Sequence, residues 1–219
     1  MSSRFETIIF DLDGTLVDTV TDVTKGVNRA LEKMGFTPIS VEQVKKAIGP
    51  GREEFIKAIF PGEENPDVKK FLTIFREYYW DQCLERTVLF DGMGKVLSQL
   101  DDRTLAVASN KPKAFTEKIL QGLGVRERFK AVVGPEDVTH AKPHPEMIIK
   151  TLNVVGGKAS RTLLVGDTDK DILAGRGAGV CVCGVLYGYG IVEDIENLNP
   201  DFLIAVPLEL LDILKNSHD

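Results

Sequence analysis

A pair of aspartates directly behind a short apolar run constrains this chain more than any other feature. The run Ile8-Ile9-Phe10 leads into Asp11-Leu12-Asp13-Gly14-Thr15. Such a run predicts a buried strand, and the glycine predicts a turn behind it. Because side chains alternate along a strand, Asp11 and Asp13 are expected on the same side. Burying two carboxylates is costly without compensation, so the pair indicates a site for a hard cation, unless the two residues cap the next helix.

Two further polar stretches supply groups that suit an anion. Ser109 and Asn110 follow the apolar run 104–108, where a hydroxyl and free backbone N–H groups at the start of a helix favour an anion. An ordinary helix cap is the alternative for these two residues. Lys142 stands in a segment stiffened by two prolines, at the level where such an anion would lie. Most lysines are solvated surface charges, which is the alternative here.

The fourth polar stretch is Gly166-Asp167-Thr168-Asp169-Lys170-Asp171, behind the apolar run 162–165. Asp167 follows the predicted strand directly and is expected at the same edge as Asp11. Asp171 comes one helical turn later, on the same face of the next helix. Favourable acidity at a helix N-terminus is the alternative, and it explains Asp169 well and Asp167 poorly.

The order of predicted elements indicates the fold class. Apolar strand-like runs alternate with amphipathic helices from about residue 88 onwards, which predicts an α/β fold: a Rossmann-like parallel sheet with helices on both faces. Ligands bind beyond the carboxyl ends of such strands, where all four polar stretches fall. Apolar spacing predicts a helix over residues 17–34, and residues 38–84 have a helical pattern without strands. The predicted domains are an α/β core of residues 1–17 and 88–219 and an inserted all-helical domain of residues 18–87.

Charge and composition narrow the classes of partner. The net charge of −6 argues against a nucleic-acid or anionic-membrane surface. No apolar run approaches the roughly 20 residues that span a bilayer, and the first six residues lack the apolar segment of a signal peptide. Three cysteines, Cys83, Cys181 and Cys183, are an odd number and are typical of a reducing compartment. We therefore expect a cytoplasmic protein with a small-molecule partner.

Taken together, the four stretches resemble the four ordered motifs of the haloacid dehalogenase superfamily. The matching segments are Asp11-Leu12-Asp13-Gly14-Thr15, Ser109-Asn110, Lys142-Pro143 and Gly166-Asp167-x-x-x-Asp171. The resemblance covers nearly the whole chain, and four motifs in order are far more specific than any one of them. The helical insertion resembles the cap domain of that superfamily, and the chain is most similar to its phosphoglycolate-phosphatase-like enzymes.

The resemblance implies a Mg²⁺-dependent phosphomonoester hydrolase that acts on a small phosphorylated metabolite through an aspartyl-phosphate. Asp11 would be the nucleophile, and Asp13 would be general acid and then general base. Mg²⁺ would be held by the Asp11 side chain, the Asp13 backbone carbonyl and Asp167.

The remaining motif residues would support the phosphoryl group. Ser109 and Lys142 would hold its oxygens, with backbone N–H groups near Asn110 assisting. Asp171 would orient Lys142 or the waters of the metal, and Thr15 would support the first motif. The cap would move on two hinges, near residues 17–18 and 86–88, and its closure would exclude water and select the substrate.

The sequence also bears on alternatives within and outside the superfamily. Asp13 argues against its hydrolytic dehalogenases, and Thr15 resembles the phosphatases better than the sugar phosphomutases; a phosphomutase and a pyrophosphatase stay open. A phosphate-accepting receiver module would be about half as long and would lack the insertion. Arg52, in a segment similar to the substrate-contacting cap loop, would bind a substrate carboxylate or second phosphate, or else pair with Glu53 or Glu54. A monomer and a homodimer are both compatible with the sequence.

Overall fold

The computed structural model describes residues 4–216. Residues 1–3 and 217–219, which belong to the predicted core, lie outside the described residues. The first three are part of the N-terminal stretch in which we expect no signal peptide. The strands are β1 (Thr7–Phe10), β2 (Val17–Asp18), β3 (Val88–Leu89), β4 (Thr104–Ala108), β5 (Ala131–Val133), β6 (Thr162–Gly166), β7 (Cys181–Val185) and β8 (Phe202–Ile204). The helices are α1 (Val20–Lys33), α2 (Val41–Ala47), α3 (Arg52–Ile59), α4 (Val68–Gln82), α5 (Met93–Ser98), α6 (Lys113–Gly122), α7 (Glu146–Val155), α8 (Asp169–Gly177), α9 (Val192–Asn197) and α10 (Glu209–Asn216).

Six strands form one parallel sheet in the order β5-β4-β1-β6-β7-β8. The first strand lies near its middle, pairing with β4 on one side and β6 on the other. All four residues of β1 are buried, as expected of a strand covered on both faces. The predicted α/β fold with a Rossmann-like parallel sheet is confirmed, and the carboxyl ends of β1, β4 and β6 meet at one edge.

The two faces of the sheet bury different side chains, because successive residues of a strand point in opposite directions. Ile8 and Phe10 lie in one apolar cluster, which also contains residues of α5, α6 and α10. Ile9 lies in a second cluster with Met147 and Ile148 of α7. Helices therefore cover both faces and hold β1 rigidly, so that the residues directly behind it have fixed positions.

The chain leaves the sheet after β1 and forms four consecutive helices, α1 to α4, before it returns. The two connections pair as a short antiparallel ribbon, with Val17 opposite Leu89 and Asp18 opposite Val88. The predicted helix over residues 17–34 was therefore wrong at its start, since α1 begins only at Val20. Two-residue strands carry no periodicity that a sequence pattern can reveal.

Prolines and a glycine mark the boundaries of two helices of the core. Helices α6 and α7 begin one residue after Pro112 and Pro145, which are their N-cap residues. Helix α7 ends at Val155 because the next residue, Gly156, has a φ of 73° and caps it. Helix α9 was not predicted. No helix among the described residues is both long enough and apolar enough to cross a bilayer.

Candidate active site

The polar stretches meet at the carboxyl edge of the sheet. Asp11 and Asp13 follow β1, Ser109 follows β4, and Asp167 follows β6, while Lys142 reaches the same place from the loop behind β5. All five side chains are buried. Buried charged groups are costly unless they are paired, so their partners define what this cluster can do.

Lys142 is the centre of the cluster. Its ammonium group lies 2.8 Å from Asp11 Oδ1 and 2.6 Å from Asp171 Oδ1, and it donates a hydrogen bond of 2.8 Å to the carbonyl oxygen of Ala108. Desolvation lowers the pKa of Lys142, but the two carboxylates outweigh it and hold the pKa above its ordinary value. Lys142 is therefore a fixed cation beside Asp11.

Asn110 holds the backbone of Lys142 in place. Its Oδ1 accepts a 3.0 Å hydrogen bond from the backbone N–H of Lys142, and its Nδ2 donates to the carbonyl oxygen of Lys142 at 3.0 Å and to that of Gly49 at 2.9 Å. The side-chain amide is thus occupied, whereas the sequence suggested Asn110 among the groups that bind phosphate. Its backbone N–H donates no hydrogen bond to another residue in the described part of the chain, so this group is available to an anion.

Asp171 combines the two interpretations that the sequence left open. Its Oδ2 accepts hydrogen bonds from the Thr168 hydroxyl at 2.6 Å and from the Thr168 backbone N–H at 3.1 Å, which caps helix α8. Its other oxygen contacts Lys142. A helix cap therefore also fixes the position of the cation.

Asp13 has two partners, one of which has no role in the sequence-based prediction. The Thr19 hydroxyl donates to Asp13 Oδ1. Lys111 Nζ lies 3.1 Å and 3.2 Å from the two Asp13 oxygens, and the side chain of Lys111 is only 8% exposed. The available signal was the position of Lys111, next in sequence to Ser109 and Asn110 at the same strand end.

Asp167 is enclosed by the first motif and by a loop behind β7. Thr15 Oγ1 donates to one of its oxygens at 3.0 Å, and the Tyr189 backbone N–H donates to the other at 2.7 Å. A Cβ atom added to Gly14 would lie 2.1 Å from Asp167 Oδ2, and one added to Gly188 would lie 2.3 Å from Asp167 Cβ. Glycine is needed at both positions because the backbone passes so close to the carboxylate. Sequence reasoning missed Gly188 and Tyr189, whose signal was a glycine-rich segment directly after a strand.

Tyr189 of this loop also contacts the segment that connects β2 to helix α1. Tyr189 Oη donates to Asp18 Oδ1 at 2.7 Å and accepts hydrogen bonds from the backbone N–H groups of Thr19 and Val20. The residue whose backbone holds Asp167 therefore also holds the start of helix α1.

The cluster carries an excess of negative charge. With every group ionised, the four buried carboxylates, those of Asp11, Asp13, Asp167 and Asp171, face the ammonium groups of Lys111 and Lys142, which leaves two negative charges. Burial raises the pKa of Asp11 from 3.8 to about 6 despite the opposing effect of Lys142. Burial, followed by the charges of Asp11 and Asp171, raises the pKa of Asp167 well above its ordinary value.

The donor set fits a hard divalent cation. Asp11, Asp167 and Asp171 each offer a carboxylate oxygen, and these oxygens lie within 4.8 Å of one another. Oxygen ligands of this kind suit Mg²⁺, whose charge would offset the excess. This set contains Asp171 in addition to the residues that the sequence suggested, but Asp171 already bonds to Lys142 and Thr168.

A cavity of about 440 Å³ opens above the cluster, between the sheet edge and the helices α1 to α4. Asp11, Asp13, Ser109, Asn110 and Lys111 form its floor. The residues that α1 to α4 and their connections contribute to its lining are mostly apolar or aromatic: Val23, Ala47, Ile48, Gly49, Gly51, Arg52, Phe55, Leu72, Phe75, Arg76 and Tyr79. The shape and lining are typical of a small-molecule site.

Arg52 is one of two exposed cations on the cavity wall; the other is Arg76. Among the described residues, neither arginine has an ion-pair partner, so Arg52 does not pair with Glu53 or Glu54 as the alternative interpretation suggested.

Comparison with known proteins identifies the family. Residues 8–185 match the model of haloacid dehalogenase-like hydrolases. An N-acetylmuramic acid 6-phosphate phosphatase of Pseudomonas aeruginosa is 32% identical, with 96% of this chain and 95% of that protein aligned. A phosphoglycolate phosphatase of Colwellia psychrerythraea is 34% identical, with 96% and 97% aligned. A crystal structure from Haemophilus somnus, described as a predicted phosphoglycolate phosphatase, superposes with a TM-score of 0.90 at 29% identity, covering 97% of this chain and 99% of that one.

Proposed function

The chain belongs to the haloacid dehalogenase-like hydrolase family, and we propose that it is a Mg²⁺-dependent phosphatase that hydrolyses a small phosphomonoester. The observation that carries the proposal is the position of Asp11: a buried carboxylate at the floor of a cavity, 2.8 Å from the ammonium group of Lys142. A carboxylate repels a phosphate dianion, so a nucleophilic aspartate needs fixed positive charge beside it.

In the first step Asp11 attacks the phosphorus atom. One of its oxygens forms the new P–O bond while the bond between phosphorus and the ester oxygen breaks, which gives an aspartyl-phosphate and an alcohol. Covalent catalysis of this kind replaces one difficult displacement by two easier ones. In the second step water attacks the aspartyl-phosphate, which releases inorganic phosphate and restores Asp11.

Asp13 moves the proton in both steps. It gives a proton to the leaving ester oxygen and later takes one from the attacking water. Its carboxylate lies on the cavity floor two residues beyond Asp11, and the Thr19 hydroxyl and Lys111 hold its orientation. A positioned acid is needed because an alkoxide is a poor leaving group.

The phosphoryl oxygens are bound by Lys142, by the Ser109 hydroxyl and by the free backbone N–H of Asn110. Donors fixed in a water-poor site stabilise developing charge without reorganising, which makes each of them worth about 10²- to 10³-fold in rate. The Asp11 side chain, the Asp13 backbone carbonyl and Asp167 would hold Mg²⁺. The bound ion supplies positive charge that neutralises the phosphate and the carboxylates around it.

We also propose that residues 18–87 form a cap that moves against the core of residues 1–17 and 88–219. The ribbon of β2 and β3 joins the two parts, and the cavity lies between them. Asn110 touches the cap at Gly49, in the connection that leads to Arg52 at the start of α3. Closure of the cap would exclude water from the aspartyl-phosphate and bring cap side chains onto the substrate.

The relatives indicate which substrates to test first. Both phosphoglycolate and N-acetylmuramic acid 6-phosphate carry a carboxylate in addition to the phosphate, and the cavity lining supplies Arg52, Arg76 and Lys111 as cations. Phosphate release from these two compounds, from sugar phosphates, from nucleotides and from pyrophosphate, with Mg²⁺ and with EDTA, tests the proposal. Metal-dependent hydrolysis of one phosphomonoester far above the others supports it. Interconversion of a sugar phosphate that requires its bisphosphate, without phosphate release, would identify a phosphomutase instead.

A further inference from the structure

Two of the three histidines of the chain lie close together just before helix α7, and the proposed reaction uses neither of them. The rings of His140 and His144 are 4.6 Å apart between their centroids. Pro143 and Pro145 exclude the regular helix on which two side chains at this spacing normally meet. The fold of the loop therefore brings the two imidazoles together.

One carboxylate holds this loop in its shape. Glu146 is the first residue of α7, and its Oε1 accepts a 2.8 Å hydrogen bond from the backbone N–H of Thr139. Its Oε2 accepts a 3.0 Å hydrogen bond from the backbone N–H of His140. The backbone that carries the histidines is thus tied to the start of the helix, so the loop needs little reordering to bind a ligand with these side chains.

Both imidazoles face the same oxygen of that carboxylate. The Nδ1 atom of His140 lies 3.0 Å from Glu146 Oε2, and the Nδ1 atom of His144 lies 3.9 Å from it. The Glu146 backbone N–H donates to His144 Nδ1 at 3.2 Å, which shows that the lone pair of this nitrogen is directed towards Glu146. The three residues together offer two nitrogen atoms and one oxygen atom that all lie within 4.8 Å of one another.

We propose that His140, His144 and Glu146 form a surface site for a borderline divalent metal ion, for which Zn²⁺ is the best fit. Two imidazoles and a carboxylate are ligands that Zn²⁺ takes, and three protein ligands leave one tetrahedral position for water. Ligand atoms bound to one Zn²⁺ lie ~3.3 Å apart, so small rotations of the exposed rings complete the set. In a neutral His140 the ion takes the place of the hydrogen on Nδ1, and Nε2 gains a proton.

This site differs in chemistry from the carboxylate cluster around Asp11. Mg²⁺ prefers oxygen ligands, whereas imidazole nitrogen favours transition ions, so Mg²⁺ should not compete here. The side chains of His140 and His144 are 62% and 52% exposed, which leaves the site open to ions from solvent. The partial positive charge at the start of α7 opposes a cation weakly, and the charge of Glu146 offsets it. A bound ion would tie the segment on both sides of Lys142 to helix α7.

Calorimetric titration with Zn²⁺ in excess Mg²⁺ tests the proposal without any turnover, so its result does not depend on the proposed function. We expect the wild type to bind one equivalent of Zn²⁺ that Mg²⁺ does not displace. His140→Gln, His144→Gln and Glu146→Gln should each weaken this binding about tenfold or more, because each removes one ligand. His218→Gln, which removes the histidine outside the described residues, is the control and should bind Zn²⁺ like the wild type.

Zn²⁺ could instead replace Mg²⁺ at the carboxylate cluster, and Asp167→Asn distinguishes the two sites. We expect Asp167→Asn to keep the equivalent of Zn²⁺ that the histidine variants lose. The opposite pattern, with binding lost in Asp167→Asn and kept in His144→Gln, would overturn the proposal. The proposal is also wrong if the wild type binds no Zn²⁺ in excess Mg²⁺.

A measurement on the wild type alone covers the case in which a variant does not fold. Long-range ¹H–¹⁵N spectra resolve the ring nitrogens of the three histidines. During addition of Zn²⁺ in excess Mg²⁺, the ring signals of two histidines should change together and stop changing at one equivalent. Ring signals that stay unchanged while Zn²⁺ is added would show that His140 and His144 do not bind the ion.

Discussion

The ammonium group of Lys142 lies 2.8 Å from a carboxylate oxygen of Asp11, a residue 131 positions earlier in the chain. The pair is buried, and Asp171 shares the same ammonium group. A buried ion pair contributes little net stability, because desolvating both charges offsets most of their attraction. The arrangement is therefore better explained by chemistry than by stability: a nucleophilic carboxylate can approach a phosphate only where positive charge is already in place.

Replacing Lys142 should affect both activity and stability. Lys142→Met leaves Asp11 and Asp171 as buried carboxylates without their cation, so we expect a loss of about 3–5 kcal/mol in the free energy of unfolding near pH 7. The loss should shrink as the pH falls and the carboxylates bind protons. We expect kcat to fall about 10³-fold. Denaturant unfolding and steady-state kinetics measure the two effects, and Lys150→Met, on the exposed face of α7, is the control. Wild-type kcat in a folded Lys142→Met protein would contradict the role of Lys142.

Replacing Asp13 should separate the two chemical steps. An aryl phosphate such as p-nitrophenyl phosphate has a leaving group that needs no acid, whereas an alkyl phosphate needs one. In Asp13→Asn we therefore expect a rapid burst of nitrophenol, stoichiometric with enzyme, followed by slow turnover, because the aspartyl-phosphate forms but lacks its base. The alkyl phosphate should give no burst. Stopped-flow absorbance measures the nitrophenol, and rapid quench with assay of the released alcohol measures the alkyl phosphate; a burst of equal size with both substrates would show that Asp13 is not the acid.

Replacing Asp167 should reveal the cation site without an activity assay. Burial raises the pKa of Asp167 far above its ordinary 3.8, so the metal-free folded protein binds a proton here more tightly than the unfolded chain does. The contribution of protonated Asp167 to the stability of the metal-free protein is therefore fully present below about pH 4 and is lost as the pH rises through the raised pKa. Asn stays neutral, so in EDTA near pH 7 we expect Asp167→Asn to melt above the wild type.

Magnesium should reverse that order. If the proposed metal site is correct, Mg²⁺ should bind the folded wild type and raise its melting temperature, whereas Asp167→Asn lacks a ligand and should respond weakly. Asp169→Asn is the control: it lies two residues on, its carboxylate pairs with Lys170, and it should respond like the wild type. Equal Mg²⁺-induced shifts in wild type and Asp167→Asn would remove Asp167 from the metal site.

Asp22, near the start of helix α1, should stabilise the return of the chain from helix α4 to strand β3. Its Oδ2 accepts hydrogen bonds from the backbone N–H groups of Arg86 and Thr87 at 2.7 Å and 2.8 Å and from the Thr87 hydroxyl at 3.1 Å. Asp22→Ala leaves these buried donors unpaired, so we expect a loss of about 3 kcal/mol and a fall in melting temperature of roughly 10 °C. Asp81→Ala, an exposed position on α4, should change stability by less than about 0.5 kcal/mol. A melting temperature equal to that of the control would show that the contact is not structural.

The position of the site follows from sequence because topology leaves little choice. Three apolar runs that become neighbouring parallel strands must end at the same edge, so Asp11, Ser109 and Asp167 come together whatever their side chains do. The α/β class, the parallel sheet and the helical insertion follow from the same alternation of patterns. The strands β2 and β3 could not be predicted from the sequence. Each has only two residues, too few for an alternating pattern, and they pair only in the folded chain.

The contacts within the site depend on tertiary structure and were mostly beyond sequence reasoning. The sequence predicts backbone N–H groups near Asn110 as phosphate donors, but it gives no sign that the side-chain amide of Asn110 holds a backbone segment 32 residues away. Lys111 reaches Asp13 across 98 residues through a long, flexible side chain whose direction no pattern indicates. The hydrogen bond from Tyr189 to Asp167 forms because a glycine-rich loop packs closely around that carboxylate, and no sequence pattern predicts this packing.

The most direct test of the account is the turnover of Asp11→Asn, measured beside acid-quench mass spectrometry of the phosphorylated protein. Asn keeps the shape of the side chain and its contact with Lys142 but cannot form a stable acyl-phosphate. We expect the wild type to carry one phosphoryl group on Asp11 during turnover, and the folded variant to carry none and to lose more than about a hundredfold in kcat. If the variant kept more than about a hundredth of the wild-type kcat, a loss under ~2.7 kcal/mol, Asp11 would not be the nucleophile.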